Sequence, residues 1–207
     1  MNKSLRLIIF AKAPLPGLAK TRLIPELGAE GAAQLAGKML RHTLDLCARA
    51  QLGPVELCVT PDCDDAYWKN FSLPENMTLS SQGGGDLGQR LLRAANRAAG
   101  NGESVLLLGT DCPQLTAEHL KTAAFALERS DAVIYPTRDG GYALLGLNRV
   151  EASLFEGISW STEVVARQTG KRMVQCNMRC EWLETLADID EPADLDYLPE
   201  GWKEAYL

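Results

Sequence analysis

Asp111 stands just past a run of four apolar residues, in Val105-Leu106-Leu107-Leu108-Gly109-Thr110-Asp111-Cys112-Pro113. Such a run, bounded by turn residues, reads as a strand covered on both faces, as in a parallel sheet. Gly109 frees the backbone and Pro113 removes a donor, so the strand ends there. The acid is left at the carboxyl end of a central strand, where open α/β sheets bind ligands. A carboxylate in that place can hold a divalent cation, and the cation can hold phosphates. The simpler role is an N-cap for the helix starting near Thr116, although Thr116 is itself a good cap.

Phosphates call for positive charge as well. Lys12, Lys20 and Arg22 lie within eleven positions of the loop that follows the first apolar run, Leu7-Ile8-Ile9-Phe10-Ala11. An ammonium and a planar guanidinium both suit phosphate oxygens. Pro14 and Pro16 stiffen this loop, and Gly17 lets its backbone approach a ligand. The Walker pattern Gly-x-x-x-x-Gly-Lys is absent, and a solvated basic loop is the plain alternative. Gln82-Gly83-Gly84-Gly85-Asp86-Leu87-Gly88-Gln89-Arg90 is a glycine-rich turn entering a helix, with Asp86 as a cap or a sugar-hydroxyl ligand. Asp139-Gly140-Gly141-Tyr142 throws an acid and an aromatic toward the strand ends, though Asp-Gly is also a common hairpin signal. Trp160-Ser161-Thr162 offers an aromatic wall and hydroxyls at a helix start. In Asp188-Ile189-Asp190 two carboxylates share one strand face. Asp190 serves equally as a metal ligand or as the cap of the next helix.

These residues need elements to carry them. Alternating patterns predict strands over residues 5–10, 55–59 and 77–79, with helices over 29–49, 87–99 and 116–128 between and after them. Strands at 132–135 and 142–147 are close enough for a hairpin. A helix over 161–167, a strand over 173–177 and a short helix opened by Asp190-Glu191-Pro192 complete the reading. The first half implies a parallel sheet, the second an antiparallel addition. With the strand order three-two-one-four, the loops after Phe10 and Gly109 face each other across a crevice.

The chain has 207 residues and a formal charge of −6, which argues against nucleic acid or an anionic membrane as partner. The apolar start is too short, and too soon interrupted by Lys12, for a signal peptide. Nothing approaches transmembrane length. The six cysteines lack metal-ligand spacing and read as free thiols of a reducing cytoplasm. No linker or repeat divides the chain, so residues 1–207 are expected to form one domain.

Taken together and in order, these motifs resemble the bacterial GT-A-type glycosyltransferases, or nucleotide-diphospho-sugar transferases, some of them tied to arsenosugar biosynthesis. They run from Ala11-Lys12-Ala13-Pro14 and Lys20-Thr21-Arg22-Leu23, through Gln82 to Arg90, Gly109-Thr110-Asp111-Cys112-Pro113 and Asp139-Gly140-Gly141-Tyr142, to Trp160-Ser161-Thr162 and Asp188-Ile189-Asp190. Nearly the whole chain is covered. The loop around Lys20 is more distantly similar to that of 2-phospholactate guanylyltransferases. It departs from the sugar-nucleotide pyrophosphorylases, whose first loop carries paired glycines and an arginine before a later lysine.

The resemblance implies a three-layer α/β/α sandwich with a mixed, mainly parallel central sheet. It implies Ala11, Lys12, Gly17, Lys20, Arg22, Gln82, Gly83, Gly85, Asp86 and Arg90 at a nucleotide and its phosphates. Asp111 and Asp190 would hold Mg²⁺ or Mn²⁺. Gly140, Gly141, Tyr142, Trp160, Ser161 and Thr162 would face the acceptor, with Asp139, or else Glu163, as the base. Glycosyl transfer from a nucleotide-diphospho-sugar to a small-molecule acceptor is the first expected function. Nucleotidyl transfer from a nucleoside triphosphate is the second, and a non-catalytic nucleotide-binding module the third.

Overall fold

In the computed structural model, which describes residues 3–204, the first apolar run becomes β1 (Leu5–Lys12) in the interior of the sheet. A loop and a 3-10 turn at Thr21–Leu23 lead to α1 (Ile24–Ala50), broken at Gly28 by a positive φ. The order then runs β2 (Val55–Thr60), α2 (Ala66–Lys69), β3 (Met77–Ser81), α3 (Leu87–Gly100), β4 (Ser104–Leu108) and α4 (Ala117–Leu127). It continues with β5 (Ala132–Pro136), β6 (Tyr142–Leu147), α5 (Val165–Gln175), β7 (Cys180–Trp182) and α6 (Glu200–Lys203).

The seven strands form one sheet in the order β3-β2-β1-β4-β6-β5-β7. β1 pairs parallel with β2 and with β4, and β2 with β3. β6 runs antiparallel to both β4 and β5, while β7 is parallel to β5. The sheet is thus mixed and mainly parallel. The chain leaves β1 toward β2 on one side and returns on the other with β4. Their carboxyl ends flank the crevice expected at such a reversal.

Strand alternation builds the three layers. Leu7 and Ile9 of β1, with Leu106 and Leu108 of β4, pack under Leu40 and Leu44 of α1 and Leu120 of α4. Ile8, Val105 and Leu107 face the other way, against Leu91, Ala94 and Ala98 of α3 and Met173 of α5. Both sides of β4 are fully covered, as its unbroken apolar run requires. A third cluster joins Leu23, Leu35 and Met39 to Ile189, Leu195 and Leu198, and so pins the 188–198 segment to the start of α1.

The carboxyl half departs from the sequence reading. The helix expected over 161–167 begins only at Val165, because Ser161 has a φ of 62° and the Thr162 hydroxyl bonds back to the Ser159 carbonyl (2.6 Å). The stretch 173–177, expected as a strand, holds the last three residues of that same helix and the turn after it. Met173 is buried and Val174 is 74% exposed, and so short a pattern cannot separate strand from helix. The strand is Cys180–Trp182 instead. The turn after Asp190 is a 3-10 helix, Pro192–Tyr197, with Glu191 rather than Asp190 as its cap. Residues 1–2 and 205–207 of the expected single domain lie outside the described residues.

Candidate functional site

A cleft of ≈ 550 Å³ opens at the carboxyl ends of β1 and β4. Of the residues expected at a nucleotide, Ala11, Lys12, Lys20, Arg22 and Gln82 line one part of this cleft. Asp111 and Asp190 lie beside Lys20, and Asp139, Gly141, Tyr142, Trp160, Ser161 and Thr162 line the remainder. Gly17, Gly83, Gly85, Asp86, Arg90, Gly140 and Glu163 are not among the lining residues.

Local structure explains how Lys20 reaches the centre of the cleft. The loop is tied at one end by the Ala13 amide, which donates to the Thr60 carbonyl (2.9 Å). At the other end Leu23 is wholly buried in the third cluster. Between them Lys20 takes a left-handed conformation (φ 47°, ψ 46°), uncommon for a residue with a side chain. Its Nζ lies 2.6 Å from Asp111 Oδ1 and 3.4 Å from Asp190 Oδ1. The Lys20 side chain is 7% exposed, those of Asp111 and Asp190 55% and 41%. Burial works against its charge, but Asp111 and then Asp190 outweigh that, and its pKa is raised. Arg22 holds the other Asp190 oxygen at 2.7 Å.

The acids are positioned by backbone. The Ile189 amide donates to the Asp111 carbonyl (2.8 Å), which joins the end of β4 to the late segment. With Ile189 fully buried, alternation turns Asp188 and Asp190 together into the cleft. Asp188 is the site residue that the sequence reading did not select, although the Asp-Ile-Asp spacing was its signal. Burial, followed by repulsion from Asp139, pushes its carboxyl up to about 6. Asp139 accepts from the Thr137 hydroxyl (2.5 Å) and the Gly141 amide (2.9 Å) through one oxygen, and so holds its own turn together.

Several candidates serve as supports. Asp86 caps α3, accepting from the Gln89 amide (2.8 Å). Arg90 donates to the Gly85 carbonyl (2.9 Å) and to Gln82 Oε1 (3.3 Å). Gln82 itself is buried, its Nε2 donating to the carbonyls of Ala11 and Cys58 at 3.2 and 3.1 Å. The glycine turn is thus braced against the ends of β1 and β2. Trp160 packs on α3 at Gly88, where a Cβ would lie 2.7 Å from its indole nitrogen. The Tyr142 hydroxyl is buried, which raises its pKa, with Thr169 opposing. Glu163 lies apart, with Arg167, Lys171 and Trp182 along a second depression of ≈ 440 Å³.

Among the described residues no group of three or more His, Cys, Asp or Glu side chains gathers as a metal site. Two carboxylates converging on one cation still match what Mg²⁺ takes from a protein when phosphates supply its other ligands. Asp111 and Asp190 therefore fit such an ion.

The fold has solved counterparts. A protein from Desulfovibrio desulfuricans G20, provisionally classed as a nucleotide-diphospho-sugar transferase, is 30% identical with a TM-score of 0.88, over 99% of this chain and 90% of that one. The 4-diphosphocytidyl-2C-methyl-D-erythritol synthase of Anaerococcus prevotii DSM 20548 has a TM-score of 0.61 at 14% identity, over 94% and 96% of the two chains. Rv0371c of Mycobacterium tuberculosis H37Rv, solved as a complex with manganese, has a TM-score of 0.58 at 14% identity, over 95% and 98%. The last two likenesses are of fold alone. No curated protein matches the chain. Residues 43–162 match the family described as an uncharacterized protein conserved in bacteria (DUF2064), and to that family the chain belongs.

Proposed function

We propose that the chain is a metal-dependent glycosyltransferase that moves a sugar from a nucleotide-diphospho-sugar to a small acceptor. The observation that carries this reading is the meeting of Lys20, Arg22, Asp111 and Asp190 at one point of the cleft. Cations from the loop after β1 and acids at the end of β4 and in the late segment there face the same space, at the sheet's point of reversal. The 30% identical relative is classed with transferases of this kind. The free thiols suit a reducing cytoplasm.

In this reading Lys12, Lys20 and Arg22 donate to the diphosphate oxygens, and Gln82 with the braced glycine turn supports the nucleoside. Asp111 and Asp190 hold Mg²⁺ or Mn²⁺, which when bound neutralises charge on the departing diphosphate. The cations on the loop add to that stabilisation because they are oriented before the bond breaks. Asp139 and Asp188, near the acceptor end, are the carboxylates available to take a hydroxyl proton.

Nucleotidyl transfer, with pyrophosphate leaving from a nucleoside triphosphate, is the second reading. It is favoured by one observation: of the two bases expected from the sequence, Glu163 lies outside the cleft and Asp139 has one oxygen engaged by its own turn, and this reaction needs no sugar-side base. Incubation with Mn²⁺, panels of nucleotide sugars and nucleoside triphosphates, and a set of small hydroxylated and phosphorylated acceptors separates the two. Nucleoside diphosphate released from a nucleotide sugar is the expected result. Pyrophosphate from a triphosphate would favour the second reading. Binding without either product would leave a nucleotide-binding module.

A further inference from the structure

Lys20 does more than line the cleft. Its ammonium is in donor contact with the two carboxylates that fit a divalent ion. It takes one oxygen of each acid, Arg22 holds the second Asp190 oxygen, and a metal would need such oxygens at about 2.0–2.1 Å. A metal can bridge the two acids where the ammonium now sits only if the ammonium turns away. That step is opposed by the surroundings, since the side chain is 7% exposed and its backbone is held between Ala19 and Leu23, both buried. A buried charge deprived of its partners is costly unless new ones replace them. Arg22 cannot replace them, being itself a cation engaged with Asp190 at 2.7 Å and with Glu191 at 3.7 Å. The oxygens of a diphosphate can, because they are strong acceptors for an ammonium.

Resting on the reading above, we propose that Lys20 is a counter-ion gate. It keeps Asp111 and Asp190 from a bare divalent cation until a diphosphate draws its ammonium away. Metal and diphosphate then bind together, each raising the affinity for the other, as linkage requires. Lys20 is in this respect a positioning residue that decides the order of loading, apart from any contact it makes to the bound phosphates.

The test measures Mn²⁺ binding without turnover. The full chain is titrated with Mn²⁺ alone, and free ion is followed by its paramagnetic resonance signal. Wild type is compared with Lys20→Met and with Arg22→Met, which also removes one positive charge but leaves the shared contact in place. Circular dichroism checks that each variant folds, and Lys20→Gln replaces Lys20→Met if the latter does not. The gate predicts that Lys20→Met binds Mn²⁺ about tenfold or more tightly than wild type, with a clearly smaller gain for Arg22→Met. Equal affinity in wild type and Lys20→Met, or equal gains in the two variants, would overturn the gate and leave the proposed function standing. A parallel dialysis of labelled pyrophosphate with and without Mn²⁺ covers the other failure. If Mn²⁺ neither binds any of the proteins nor raises pyrophosphate binding, both the gate and the metal-dependent reading fall.

Discussion

Asp111 is more than half exposed, and this sets what its loss should do. Lys20 would keep Asp190 as a partner, so Asp111→Ala should cost no more than about 1.5–3 kcal/mol, of the order of one hydrogen bond to a charged group. The same change should abolish Mn²⁺-dependent nucleotide binding in calorimetry; unchanged affinity would remove Asp111 from the site. Arg22→Ala should weaken diphosphate binding far more than nucleoside binding, and equal losses would contradict the phosphate assignment. Among the thiols, burial pushes Cys47 up to about 12 from an ordinary 9.0. Its neutral form is favoured in the fold, so this stabilisation is complete below about pH 9 and is lost as pH rises toward 12. Cys47 should therefore resist iodoacetamide at pH 8 until the chain is unfolded, and rapid labelling of the native protein would contradict this. At this scale Asp111, Lys20 and Arg22 were legible because strand ends and their loops announce themselves in sequence. The Asp-Ile-Asp spacing paired Asp188 with Asp190, but that both turn into the cleft depends on Ile189 being buried in a cluster with Leu23 and with Leu35 and Met39 of α1. The exclusion of Glu163 was not legible, since it turns on where α5 begins.

The elements that carry the site are held by close contacts at two glycines. A Cβ at Gly146 in β6 would lie 2.5 Å from Val133 Cγ1 and 2.8 Å from Leu106 Cδ2. Gly146→Ala should cost about 1–3 kcal/mol by overpacking the sheet's interior, measured by urea unfolding; a neutral result would mean that the sheet yields there easily. At Gly88 the added carbon would meet the Phe155 carbonyl at 2.4 Å as well as Trp160. Gly88→Ala should displace Trp160 and shift its fluorescence, and an unaltered spectrum would show that the indole does not depend on α3. Strands β1 to β6, α1, α3 and α4 were readable because each has a sustained period and clear turn residues. Thr116 with His119 and Asp86 with Gln89 cap their helices as such residues do. The stretch after β6 has no sustained period, and its 3-10 turns and short strand are set by what they pack against.

For the whole molecule, one sheet with both faces covered joins the two halves of the chain, and no helix among the described residues is long and apolar enough to cross a membrane. We expect a single cooperative unfolding transition, with the same midpoint by fluorescence and circular dichroism; two separated midpoints would divide the chain into independent units. The parallel order β3-β2-β1-β4 brings together a basic loop and an acidic strand end far apart in sequence, on a chain whose net charge is negative. A close cation–carboxylate pair is worth about 1 kcal/mol in water but about 4 near a protein surface. Gathering such pairs in one cleft thus matters more than the chain's overall charge. Anomalous scattering from a crystal grown with Mn²⁺ and uridine diphosphate tests this convergence most directly. We expect a manganese peak bound by Asp111 and Asp190, with the diphosphate between it and Lys20 and Arg22. Manganese or diphosphate bound elsewhere, for instance beside Glu163 and Trp182, would contradict it.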